Sequence, residues 1–146
     1  MLGSTPEDIR GRPDGFASRH HLEPAAGDPC CLRPRAPRMK TTLALELSLD
    51  PEGRCEAALL SFSRRLLVHP AFEELAIECA RGFLAEALGE EAVAAEELPD
   101  WLRSSRTETL ERGGLELERS VEEGWLRLAI RRSRKQPFWK LPWLKR

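Results

Sequence analysis

From Met39 onward, Leu43, Leu45, Leu47 and Leu49 alternate with Thr42, Ala44, Glu46 and Ser48, a period of two that predicts a half-buried strand. Asp50-Pro51-Glu52 then reads as a helix opening. Asp50 accepts backbone N–H bonds there, and Pro51 supplies a preset φ where no donor is needed. Cys55, Ala58, Leu59, Phe62 and Leu66 follow at helical spacing, so a first helix is expected. His69-Pro70 ends it, because the residue before a proline is pushed out of the α region. Phe72, Leu75, Ala76, Cys79, Phe83 and Ala87 repeat the apolar stripe in a second helix, with Gly89 as its left-handed stop. A softer helical stretch over 90–98 leads to Pro99-Asp100-Trp101-Leu102.

Period two returns from about Thr107. Leu115, Leu117 and Val121 share one parity and Glu116, Glu118 and Ser120 the other. Beyond a turn at Glu122-Glu123-Gly124, Leu126, Leu128 and Ile130 alternate with Arg127, Ala129 and Arg131, which predicts a hairpin. Gly113-Gly114 allows a second turn back to a weaker strand over 106–112. The expected fold is therefore α+β: a small antiparallel sheet, one N-terminal strand plus a C-terminal hairpin or meander, with two main helices packed on one face. The other face is left open, carrying Thr42, Ala44, Glu46, Glu116, Glu118, Arg127 and Ala129, a mixture that also suits pairing with a second copy.

Residues 1–38 show no such pattern. They hold six of the eleven prolines and four of the ten glycines, the composition of a disordered leader. Order is expected to begin at Met39, which makes that methionine a candidate working start. The domain reading is thus a leader at 1–38, an α+β domain at 39–132 and a tail at 133–146. No stretch is long and apolar enough for a membrane span, and the four cysteines, an adjacent pair and two isolated ones, suggest free thiols in a reducing cytoplasm.

Charge changes the picture most. The whole chain of 146 residues sums to -1, which argues against a polyanion partner. Divided by segment, residues 1–38 carry six cations and five acids, residues 39–130 ten and nineteen, and residues 131–146 seven and none. An acidic body at -9 therefore carries a basic end at +7. The candidate contact residues are Arg131, Arg132, Arg134, Lys135, Phe138, Trp139, Lys140, Trp143, Lys145 and Arg146. Cations beside indole rings suit an anionic membrane surface, single-stranded nucleic acid, or a groove in a partner protein, where Pro137 and Pro142 lower the ordering cost. A further reading folds Phe138, Trp139, Leu141, Trp143 and Leu144 back onto the domain itself.

Catalytic patterns are sparse. His20-His21 and Cys30-Cys31 hold zinc-binding atoms, but adjacent residues do not readily share one tetrahedral centre and CxxC spacing is absent. His69 reads as a helix-end residue, Cys55 and Cys79 as packing thiols, and Glu73-Glu74, Glu90-Glu91 and Glu96-Glu97 as solvated helix faces. No phosphate-cradling glycine loop occurs. Neither cofactor nor metal is expected. The expectation is a non-enzymatic interaction protein that contacts a protein partner or an anionic surface through its tail. A nucleic-acid-binding accessory protein is the alternative, and a small enzyme with an unrecognised site the third class.

Overall fold

The computed structural model describes residues 1–35, 42–65, 70–88, 96–112 and 114–132. Thr5 caps the first helix, α1 (Pro6–Gly11): its Oγ1 accepts from the Asp8 N–H at 3.2 Å, and Pro6 sits in the first turn, where a donor is dispensable. A single turn, α2 (Phe16–Arg19), follows. β1 (Leu22–Ala25) and β2 (Asp28–Pro34) then form a hairpin across Ala26 and Gly27, at φ 45° and 81°. Two consecutive left-handed residues give a turn whose twist matches that of the strands.

β3 (Leu43–Leu49) and β4 (Cys55–Ser63) are joined by a tight turn at 50–54. Asp50 Oδ1 accepts from the N–H groups of both Glu52 and Arg54 at 2.9 Å, and Gly53 takes φ 81°. The long helix α3 (Pro70–Leu88) and the short α4 (Leu98–Arg103) come next. The chain ends its described part in a meander of β5 (Glu108–Arg112), β6 (Leu115–Glu122) and β7 (Trp125–Arg132). The turn between β6 and β7 holds Glu123 at φ 51° and Gly124 at φ 82°, the hairpin expected at that place.

Together the strands make one seven-stranded antiparallel sheet in the order β1-β2-β3-β4-β7-β6-β5. This corrects the expected small sheet with two main helices. Residues 55–63 are a strand, not the first helix. Their apolar positions fit either period, because β4 lies in the middle of the sheet with β3 on one side and β7 on the other. The disordered leader is corrected as well: residues 6–34 supply two helices and two strands. Pro6 sits in the first turn of α1 and Pro24 on the edge strand β1, and Pro29 and Pro34 fall at the two ends of β2, so their density does not oppose order.

Sheet register decides where the core lies. Leu45 pairs Leu60, Leu60 pairs Leu128, and Leu117 pairs Ile130, so one parity of every strand points to the same side. Those residues share a single buried cluster with Ile9, Phe16 and Ala17 from α1 and α2, with Ala76, Cys79, Ala80, Phe83 and Leu84 from α3, and with Leu98 and Leu102 from α4. The helices thus cover one face of the sheet. On that side β6 also buries Arg119, 0% exposed, whose guanidinium donates to the carbonyls of Leu102, Ser104 and Arg106 and lies 5.5 Å from the Trp101 ring. These carbonyls lie at and just beyond the C-terminal end of α4, where helical acceptors run out of partners. Burial draws the guanidinium pKa below its ordinary value, against the influence of Glu108.

Truncating Phe16 tests the claim that the N-terminal segment is core. Phe16→Ala is expected to cost about 3–5 kcal/mol in denaturant unfolding. A chain beginning at Met39 is expected to lose its cooperative transition, and equal stability with and without residues 1–38 would contradict this.

Candidate functional site

Two regions outside the core present polar chemistry. The first is the seam where α2 meets α3. Its hub is Glu86, whose carboxylate accepts from the Phe16 N–H at 2.8 Å and from Arg12 Nη1 at 3.1 Å. Gly82 on α3 faces the same seam, where a Cβ would make ordinary contact at 3.5 Å from the Phe16 ring and 3.7 Å from His20 Nε2. Beside the seam runs a cleft of about 600 Å³ whose lining includes Arg19, His20, Glu78, Arg81 and Gly82.

At the edge of this cleft the Cys79 sulfur lies 3.3 Å from His20 Nδ1, the one contact in the described residues that pairs a nucleophile with a base. A working thiol–imidazole couple needs a thiol pKa moved down and an imidazole able to take the proton. The shifts here run the other way. Burial pushes the Cys79 thiol up to about 12, with Glu78 adding to the effect. Burial also lowers the His20 pKa from 6.5, more than Glu78 raises it. Both groups are therefore neutral at neutral pH, and the contact is a packing hydrogen bond that holds the imidazole against α3. The Phe16 ring, 4.8 Å away, completes that enclosure. Among the described residues no group of three or more His, Cys, Asp or Glu side chains is arranged to hold a metal ion.

Comparison with protein families, with curated proteins and with solved structures finds no match to this chain. Its function has to be argued from geometry.

The second region is the helix-free face of the sheet. Glu116 and Glu118 on β6 stand beside Arg131 on β7, which pairs with both, at 3.2 Å in the case of Glu118. Arg127 reaches Glu122 at 3.1 Å. Cross-strand register places Glu116 directly opposite Arg131, so the first cation of the basic run is seated on the acidic face. Arg132, the last described residue of β7, is exposed. The remaining candidate residues, Arg134, Lys135, Phe138, Trp139, Lys140, Trp143, Lys145 and Arg146, lie outside the described residues, as does His69.

Sequence reasoning passed over the seam. His20 carries no local signal of its role, since its partner Cys79 is 59 positions away and it stood in a segment read as disordered. Among the described residues no helix is long and apolar enough to cross a membrane.

Acid titration tests the neutral contact. Because the folded His20 pKa lies below the unfolded one, the unfolded chain takes up its proton first as pH falls through 6.5, and stability drops on that side. Urea midpoints measured between about pH 8 and 5 should fall toward acid in the native chain and more shallowly in His20→Gln. Identical slopes would remove His20 from the linkage.

Proposed function

We propose that this chain is a non-enzymatic interaction protein whose basic, tryptophan-containing C-terminal segment contacts a groove on a partner protein. The observation that supports it best is the seating of Arg131 on Glu116 and Glu118, which roots the basic segment at one point of a folded, acidic body. The segment is thereby presented from a fixed position, which lowers the ordering cost of binding.

Long-range electrostatics favour a protein over a polyanion. The seven cations of residues 131–146 follow a stretch of 39–130 carrying -9, and that body repels a phosphate backbone or an anionic bilayer as the tail approaches it. A protein groove with an apolar floor and acidic rim meets both charges and rings without that opposition. Two indoles, Trp139 and Trp143, supply the anchors on which such contacts usually depend. The same reading puts the protein in a reducing cytoplasm, in keeping with four free cysteines of which Cys55 and Cys79 are buried apart from one another.

Capture of a protein by the full-length chain, compared with Trp139→Ala and Trp143→Ala variants of unchanged charge, checks the proposal. Each anchor is expected to contribute at least about 2 kcal/mol, roughly a thirtyfold loss of affinity, and binding should survive about 0.5 M salt. Retention instead on single-stranded DNA or on anionic vesicles, lost steeply as salt rises and indifferent to the indoles, would replace this reading with one of the polyanion alternatives.

A further inference from the structure

The helix-free face of the sheet is built as a trough. One row of paired residues crosses it as Glu46 on β3, Leu59 on β4, Ala129 on β7 and Glu118 on β6. Two carboxylates flank the apolar side chains in that row, which runs on to Cys31 on β2 and Thr109 on β5. Neighbouring strands lie about 4.8 Å apart, so the two carboxylates are separated by roughly 14 Å, the width of one extended segment with its side chains. The floor continues along β4 with Ala57 and Ser61, whose partners on β7 are Arg131 and Arg127, each already paired with a β6 carboxylate. Ala44, in register with Ser61 and outside the core cluster, is only 3% exposed. Glu46 is exposed and makes no ion pair among the described residues.

We propose that this trough takes the chain's own residues 133–146, which rests on the reading of that segment as a contact element. Three observations carry the choice of occupant. The segment contains five cations and no acid, opposite in charge to the rims formed by Glu46 and Glu118. Arg131, the first cation of the same run, already sits on Glu116 and Glu118 of that face. Reach is also sufficient. Fourteen extended residues span about 46 Å, whereas the eight residues of β7 span about 27 Å, which leaves length for a reversal after Arg132. Trp139, Leu141 and Trp143 share one parity and Lys140 the other, so an extended segment docked here would turn its rings to Leu59 and Ala129 and Lys140 away from them. A partner protein then competes with the face for the same segment.

Full-length protein labelled with 5-fluorotryptophan tests this without any partner. The four tryptophan signals are assigned with single Trp→Phe variants. At low salt the Trp139 and Trp143 signals are expected away from their positions in a free peptide of residues 133–146. They should move to those positions near 1 M salt, where screening acts within about 3 Å. Glu46→Lys should produce the same move at low salt, with the Trp101 signal unchanged as the control for an intact fold. Free-peptide positions in the native chain at low salt overturn the proposal, and so does insensitivity to Glu46→Lys. Displacement that vanishes on dilution overturns it in favour of a second copy's face. A displaced tail that captures no partner sinks the proposed function alone, whereas a free tail that does capture one sinks only the docking.

Discussion

Glu86 sits where two halves of the core must be joined. Its side chain, 11% exposed, receives the backbone N–H of Phe16 at the start of α2 and the guanidinium of Arg12 just before it, and those two bonds set Phe16 edge-on to Phe83 at 5.9 Å. A carboxylate so placed is costly unless its lone pairs are filled, and the N-terminal segment fills them. Close approach depends on Gly15, which carries no side chain. At Gly15 a Cβ would meet Arg12 Cβ at 3.0 Å, the Arg12 carbonyl at 3.2 Å and Glu86 Oε1 at 3.3 Å, whereas at Gly82 one would make only ordinary contact with the Phe16 and His20 rings. With the seam closed, α1 and α2 cover the part of the sheet that α3 leaves open, and β1 and β2 add to β3. Without it, Phe83 and Ala80 would face water.

That dependence explains which parts of the fold were legible in the sequence. The alternation over 43–49 and the hairpin over 115–132 stood out because each strand has one apolar and one polar face. The stripe of α3 was equally plain. The error at β4 came from one local signal used twice. Asp50-Pro51-Glu52 looks like a helix opening, yet Gly53 follows and turns the chain back, whereas Thr5-Pro6-Glu7-Asp8 does open a helix and leads to the buried Ile9. What separates the two is the third residue after the cap, the left-handed Gly53 in one case and the helical Asp8 in the other. Proline and glycine density in residues 1–38 reads as absence of structure, although Pro6 opens a helix, Pro24, Pro29 and Pro34 lie in strands and Gly27 makes a left-handed turn.

The candidate contact region was legible in a different way. Segment charge requires only counting, and Arg131 is where the count becomes geometry. His20 and Cys79 were not legible together, because nothing in either neighbourhood encodes a pairing 59 residues long. Only the docking of α2 on α3 brings them into contact, and that docking follows from Glu86 and Gly15.

Arg119 links the interior to the acidic face. Strand side chains alternate, so a slip of β6 by one residue would exchange its two faces. In the observed register Leu117, Arg119 and Val121 point toward the helices while Glu116, Glu118 and Ser120 point away. An apolar residue at 119 would fill the same space without distinguishing that register from another apolar one. A guanidinium with three carbonyl acceptors at the end of α4, stacked on Trp101, fits in one place only. Trp101 is itself held by Glu108, whose carboxylate accepts from the indole N–H at 2.7 Å and whose position in β5 lies opposite Arg119. The buried cation thus fixes β6 against both β5 and α4, and by parity it fixes Glu116 and Glu118 outward, beside Arg131. The rim of the open face is set by a charge on the opposite side of the sheet.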